Sequence, residues 1–384
     1  MNKWQIVKAE DIINFNPRES IKKGVIAKKI AMERLQPFAR DVSGYDLAEF
    51  KGGTKFRNGD IIMARITPCL ENGKTAKVNV LNEDEIGFGS TEYIVMRAKE
   101  GISDADYVYY LSLSPLFRDI AIKSMVGTSG RQRVQIDVLK SMELHVPTLE
   151  EQVEIGKTLR VLDDKIEINK KINGNLDQIG QMLFEKYIIN DNSHGSLGLL
   201  SDIAIINPRR SMKKGSESIY IEMRNLPTQG SFPLDWTTRV FNGGMKFTNG
   251  DTIIARITPC LENGKMAYIN FLEENTIAFG STEYIVIASK DDIYSEMFYF
   301  LARHLPFVHY AITNMTGSSG RQRVSGDILG KFELRLPTSE SVEQFGKAVN
   351  PIMEIIKTNC LENRKLSFIR DTLLSKLFTS EIEL

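Results

Sequence analysis

Two short polar runs carry the chemistry most worth weighing in this chain. Ser129-Gly130-Arg131-Gln132-Arg133 sets two guanidiniums around an amide beside glycine, and Ser319-Gly320-Arg321-Gln322-Arg323 repeats it. Arginine can donate two parallel bonds to guanine, and glutamine can read adenine in the major groove. Glycine and serine let the backbone approach a phosphate. The competing use is internal, with the arginines paired to carboxylates of their own domain. A second loop runs from Thr67 through Pro68, Cys69 and Asn72-Gly73, with mate Thr258 to Gly264. Arg65 and Lys74 flank the first loop, Arg256 and Lys265 the second. Lys74 and Lys265 suit phosphate contact. Arg65 and Arg256 sit on strands, where a structural role is as natural. Glu92 and Glu283, each after a threonine, can cap or brace these loops.

Catalytic arrangements are missing. No Gly-x-x-x-x-Gly-Lys-Ser/Thr loop is present for nucleotide phosphates. No Asn/Asp-Pro-Pro-aromatic run is present to hold a target amine, and Asn16-Pro17-Arg18 does not replace one. Phe88-Gly89-Ser90 is too short for a cofactor loop. His145, His194, His304 and His309 show no metal-ligand spacing. Asp60 with Glu71 and Lys74 invites comparison with a nuclease centre, but two residues separate Glu71 from Lys74. Cys69 reads as a small packed side chain. The expectation is a binding protein, with no catalytic residues and no metal.

The elements that position these loops are written twice. Gly53 to Lys74 returns as Gly244 to Lys265, differing only at Thr54/Met245, Arg57/Thr248, Ile61/Thr252 and Met63/Ile254. The shift of 191 also carries Asn16-Pro17-Arg18 onto Asn207-Pro208-Arg209, and Phe88 to Tyr93 onto Phe279 to Tyr284. After a one-residue deletion Gly127 to Val134 maps onto Gly317 to Val324. The repeat is a whole domain rather than a solenoid unit. Two copies of one module suit a target with two related halves.

Within a copy, Asp60–Arg65 and Glu92–Met96 read as strands, Asn58-Gly59 and Asn72-Gly73 as turns, and about Asp106 to Met125 as a helix. Met142–Pro147 and Phe332–Pro337 are strand-like and end in proline. Long helical stretches follow. Apolar residues fall at Ile155, Leu159, Leu162, Ile166, Ile172, Leu176, Ile179 and Leu183, and again at Phe345, Val349, Ile352, Ile356, Leu366, Ile369, Leu373 and Leu377. Steps of three and four, with one longer gap in each series, mark a helix seam. Asn169 and Asn173, with mates Asn359 and Asn363, interrupt it and suit the setting of register. Each helix can run about 40 residues, or roughly 60 Å. The other helix is the obvious partner, antiparallel. The expectation is an α+β protein with internal pseudo-twofold symmetry: a domain over 1–147, a helix over 148–190, a second domain over 191–337 and a helix over 338–384.

Composition narrows the classes further. Of 384 residues, 42% are apolar, enough for two cores. Basic and acidic residues balance at 49 each, so nucleic-acid binding must rest on local patches. Three cysteines without a framework suggest a reducing cytoplasm. No apolar run reaches membrane length, and the amino-terminal residues, from Met1 to Gln5, lack an apolar signal core.

These residues resemble the specificity subunits of type I restriction–modification systems. The duplicated Gly53–Lys74 run with Phe88–Tyr93 is similar to that family's target-recognition domains. Lys165 to Asn173, on to Leu183-Phe184, is similar to its central helical region, and Arg370 to Leu377 to its carboxy-terminal helix. One departure is local: Pro147-Thr-Leu-Glu-Glu-Gln152 keeps a close form of the family's Pro-x-x-Glu-Gln helix entry, while Pro337-Thr-Ser-Glu-Ser-Val-Glu343-Gln344 displaces it. The resemblance implies a non-catalytic DNA reader. Each domain would read half of a bipartite site and the helical pair would set the gap, about 10 base pairs for domains on one groove face. Two methyltransferase subunits would dock and use S-adenosylmethionine. Restriction subunits would bring ATP and Mg chemistry. None of these cofactors would bind this chain. The near-identity of the two loops predicts half-sites that share bases as an imperfect inverted repeat, with unshared bases read by 25–52 and 216–243. Two alternatives are a related system whose methyltransferase and nuclease are fused in one partner, and a coiled-coil scaffold that reads no sequence.

Overall fold

The computed structural model describes residues 4–190, 195–291 and 295–378. His194, residues 1–3 and the last six residues of the carboxy-terminal segment lie outside the described residues. The chain forms two compact units, 1–165 with 366–384, and 166–365. These units cut across the four expected segments, because each long helix contributes residues to both.

In unit one, Ile61–Ala64 lies at the centre of an antiparallel sheet ordered Ile13–Phe15, Tyr93–Ala98, Ile61–Ala64, Thr75–Lys77. All four residues of Ile61–Ala64 are buried, which explains its unbroken apolar character. Ile61 and Met63 join a core with Tyr107, Leu111 and Phe117, while Ile62 joins Ile30, Phe56 and Val95 on the other face. A second sheet is ordered Asp46–Glu49, Ile26–Ile30, Gly87–Gly89, Thr54–Phe56. Its Ile26–Ile30 and Gly87–Gly89 strands are parallel. A strand pair, Gln5–Lys8 with Glu143–Val146, completes the unit's strands.

Unit two repeats this register. Ile62 opposite Val95 becomes Ile253 opposite Val286. The strand predicted before Pro337 is Glu333–Arg335, paired with Leu197–Leu199. The helix predicted over 106–125 is two helices, Ala105–Leu113 and Pro115–Lys123. Pro115 has no N–H and takes the first helical position, while the Ser114 side chain accepts the Phe117 N–H. The expectation missed a break that Ser114-Pro115 spells out.

The long helices are Leu149–Phe184 and Ser339–Phe378. At the first, Thr148 and Glu151 cap one another: the Glu151 N–H donates to Thr148 Oγ1 at 3.3 Å, and the Thr148 N–H to Glu151 Oε2 at 3.0 Å. Ser341 stands where Glu151 would repeat, and its N–H donates to Thr338 Oγ1 at 3.2 Å. In unit two the helices pair antiparallel. Asn169 Nδ2 donates to Asn363 Oδ1 at 2.9 Å and to Glu362 Oε2 at 2.7 Å. Asn359 Nδ2 donates to Asn173 Oδ1 at 2.8 Å. In unit one, Ile155 and Leu159 of the first helix share a core with Leu374 and Leu377 of the second. The seam differs from the apolar series in one respect. Asn169 and Gly180 are buried and Asn173 is half-buried, whereas Ile172, Ile179 and Ile369 are exposed at 41%, 45% and 36%.

Candidate nucleic-acid interface

The first polar loop is a closed hairpin. Val126 and Arg133 exchange backbone bonds of 3.0 and 2.9 Å, and the Arg131 N–H closes the turn on the Thr128 carbonyl at 2.9 Å. Gly127 has φ +140°, and a Cβ there would stand 2.9 Å from the Arg131 carbonyl, so glycine is required. The hairpin is anchored twice more, by the Thr67 N–H on the Gln132 carbonyl at 3.0 Å and the Val134 N–H on the Arg65 carbonyl at 2.9 Å. Unit two reproduces every bond: Thr316 with Arg323, Arg321 to Ser318, Thr258 to Gln322, and Val324 to Arg256. The loop of residues 67–74 thus forms the floor under the hairpin, and both expected loops come together in each unit.

The two arginines of each hairpin have different fates. Arg133 is gripped by Glu92, with Nε 3.0 Å from Oε1 and Nη2 2.7 Å from Oε1. Arg323 meets Glu283 in the same way at 2.9 Å from Nε to Oε2 and 2.8 Å from Nη2 to Oε1. Hydrogen bonds from Arg133 hold the Glu92 carboxyl below its usual range, and those from Arg323 do the same for Glu283. Both are therefore ionised at neutral pH and neutralise one cation per hairpin. Arg65 and Arg256 approach the same carboxylates at 4.0 and 3.9 Å, completing a cluster of two arginines around one glutamate. Arg131 and Arg321 are exposed, and their guanidiniums meet no acceptor among the described residues. Ser129 and Ser319 are exposed beside them, and Gln132 and Gln322 are half-buried. Each hairpin thus offers one free guanidinium, one amide and a hydroxyl on a rigid turn, the donor and acceptor set that reads base edges or grips phosphate.

Other expected residues sit elsewhere. Lys74 Nζ donates to the Met32 carbonyl at 2.9 Å and Lys265 Nζ to the Met223 carbonyl at 2.9 Å. These lysines tie down short 3-10 turns, Met32–Arg34 and Met223–Asn225, rather than standing free for phosphate. Asp60 is 1% exposed and its oxygens are engaged by Arg97 at 2.6 and 2.8 Å, so it does not converge with exposed Glu71. The Asn16 amide oxygen accepts the Val95 N–H, a brace for the sheet edge. Cys69, Cys260 and Cys360 are free thiols. Among the described residues no three His, Cys, Asp or Glu side chains group as a metal site, and no helix is long and apolar enough to cross a membrane.

The brace by Glu92 was only loosely legible: Phe-Gly-Ser-Thr-Glu-Tyr repeats in step with the hairpin, and that joint repetition was the signal. A buried charge swap was not foreseen. Arg97 holds Asp60 and Glu19 in unit one, with Nη1 2.9 Å from Glu19. In unit two Arg210 stands at the position of Glu19 and reaches Asp251 at 2.8 Å, while Ala288 stands at the position of Arg97.

Residues 1–178 match the family model of the type I restriction modification DNA specificity domain. The chain is similar to that domain over its first half. Its second half carries the internal repeat of the same module. The chain is similar to the HindI specificity subunit of Haemophilus influenzae, at 22% identity over 85% of this chain and 87% of that protein. It is 38% identical to the EcoAI specificity subunit of Escherichia coli over 105 residues, which is 27% of this chain and only 18% of that subunit's length. In fold it is similar to the type I restriction–modification S subunit from M. genitalium, with a TM-score of 0.55 at 17% identity over 98% of this chain and 96% of that one.

Proposed function

We propose that this chain is the DNA-reading subunit of a type I restriction–modification complex and is not itself an enzyme. The observation that supports this most is the exposed arginine and neighbouring glutamine on a glycine-shaped hairpin, present once in each unit as Arg131-Gln132 and Arg321-Gln322. Each hairpin reads one half of a bipartite site in the major groove. The pairing of Arg133 and Arg323 with glutamate leaves Arg131 and Arg321 as the base-reading cations. Two methyltransferase subunits bind this chain and supply S-adenosylmethionine chemistry, and restriction subunits supply ATP and Mg chemistry. The chain binds none of these cofactors and works in the cytoplasm, where its thiols stay reduced. Because the hairpins match bond for bond, the half-sites share bases in inverted order. The divergent stretches 25–52 and 216–243 read the rest.

The test is single-molecule sequencing of DNA from cells that express this chain with its methyltransferase subunit. A split motif of methylated adenines with related halves is expected. Unrelated halves would overturn the shared-base reading. Absence of any motif, with the complex assembled and the methyltransferase competent, would overturn the reader role.

A further inference from the structure

The bonds that the seam asparagines make to one another cannot choose a partner. The repeat carries Asn169 onto Asn359 and Asn173 onto Asn363. The bond between Asn169 and Asn363 is therefore the repeat image of the bond between Asn359 and Asn173. A seam read by these two bonds alone would accept a first half against another first half, or a second against a second. Polar seam residues of this kind fix register. Choice of partner needs residues that differ between the copies.

Such residues lie where each helix meets its globular part. In unit one, Tyr110 Oη donates to Asp163 Oδ2 at 2.7 Å and Arg370 Nη1 meets Asp163 Oδ1 at 2.7 Å. Arg370 also bonds Asp371 at 2.8 Å. Asp163 and Arg370 are 4% and 9% exposed. The shift of 190 turns Tyr110 into Phe300, Asp163 into Met353 and Arg370 into Gly180. In unit two these three positions carry no polar side chain. The Phe300 ring covers Gly180, where a Cβ would stand 2.5 Å from it, and packs against Phe184 and Phe345 at 6.4 and 5.7 Å. Met353 is buried beside them.

We infer that these unlike corners make each half of the chain select its other half over a second copy of itself. A first half against a first half would put Gly180 opposite Asp163, leaving a buried carboxylate with only a tyrosine hydroxyl. A second half against a second half would press the Arg370 guanidinium onto Phe300 and Met353, away from Asp163. Stripping a buried charge of its partner is strongly unfavourable, whereas an intact pair and an apolar corner are each tolerated. Specificity comes from what the wrong pairing buries. Such selection matters in a chain with two copies of one module, since such chains are prone to swapped assembly.

The experiment uses the full chain with a protease site placed between Asn190 and Gly195. After folding and cleavage, the halves are exchanged in sub-denaturing urea, returned to buffer and weighed as pairs by native mass spectrometry. Random pairing would give mixed pairs as half of the total. The wild type is expected to exceed that mixed-to-self ratio by on the order of a hundredfold. Tyr110→Phe with Asp163→Met and Arg370→Gly makes both corners apolar and should return the ratio toward random. Phe300→Tyr with Met353→Asp and Gly180→Arg makes both charged, and takes over the test if the first variant does not fold. Near-random pairing by the wild type would overturn the inference. So would a folded variant that still forms only mixed pairs. No DNA enters this test, so its outcome stands apart from the reader role.

Discussion

Replacing Arg97 by alanine should destabilise unit one by about 3 kcal/mol at pH 7, toward the lower end of what removal of one partner from a buried ion pair costs. The magnitude follows from what is left behind. Asp60 is 1% exposed and loses two bonds of 2.6 and 2.8 Å, keeping the Arg57 N–H at 2.7 Å. Glu19 retains Arg57 at 2.7 Å, which places the loss chiefly at Asp60. Unit two supplies the rescue, because Arg210, Thr248 and Ala288 occupy the positions of Glu19, Arg57 and Arg97. Glu19→Arg combined with Arg57→Thr and Arg97→Ala reproduces the unit-two set and should recover all but about 1 kcal/mol, since the introduced guanidinium can reach Asp60 as Arg210 reaches Asp251. The assay is urea unfolding followed by Trp4 fluorescence in a Trp236→Phe background, which isolates unit one. A loss under about 1 kcal/mol, or a triple variant no better than Arg97→Ala, would refute the reasoning.

Three further outcomes are expected. Arg131→Ala and Arg321→Ala should each relax one half-site of the methylation motif at about 1–3 kcal/mol per position; uniform weakening with a shallower salt slope would mark phosphate contacts instead. Gly127→Ala should disorder the first hairpin and leave the second intact, read as loss of sequence preference in one half-site while the unfolding midpoint of unit two is unchanged. Burial pushes the Asp251 carboxyl up to about 6 against the pull of Arg210. Its folded value lies above its unfolded one, so its contribution is greatest in acid and is lost as pH rises from about 4 to about 6. Asp251→Asn should remove that slope from the urea midpoint of unit two, followed by Trp236.

Much of this protein is local, and local features are legible in a chain. The duplication, the buried strands Ile61–Ala64 and Thr252–Ala255, the turns at Asn58-Gly59 and Asn72-Gly73, and the two long helices follow from periodicity and turn chemistry. The hairpin residues were legible too, because a glycine-bounded run of arginine and glutamine repeats intact. The missed break at Ser114 lay in the sequence as well, as a cap followed by proline.

Tertiary structure decided which of those residues are free. Arg131 and Arg133 are alike as letters, but Glu92, 41 positions away, takes one and leaves the other. Lys74 finds the Met32 carbonyl across 42 positions. The helix seam runs through Asn169, Asn173 and Gly180 while Ile172 and Ile179 face outward, because the facing asparagines bond one another there and Phe300 needs the space over Gly180. Periodicity tells where an apolar stripe can lie. Only the neighbour that packs on it decides which positions are buried, and only a partner brought close by folding decides whether a charge is neutralised or left to act.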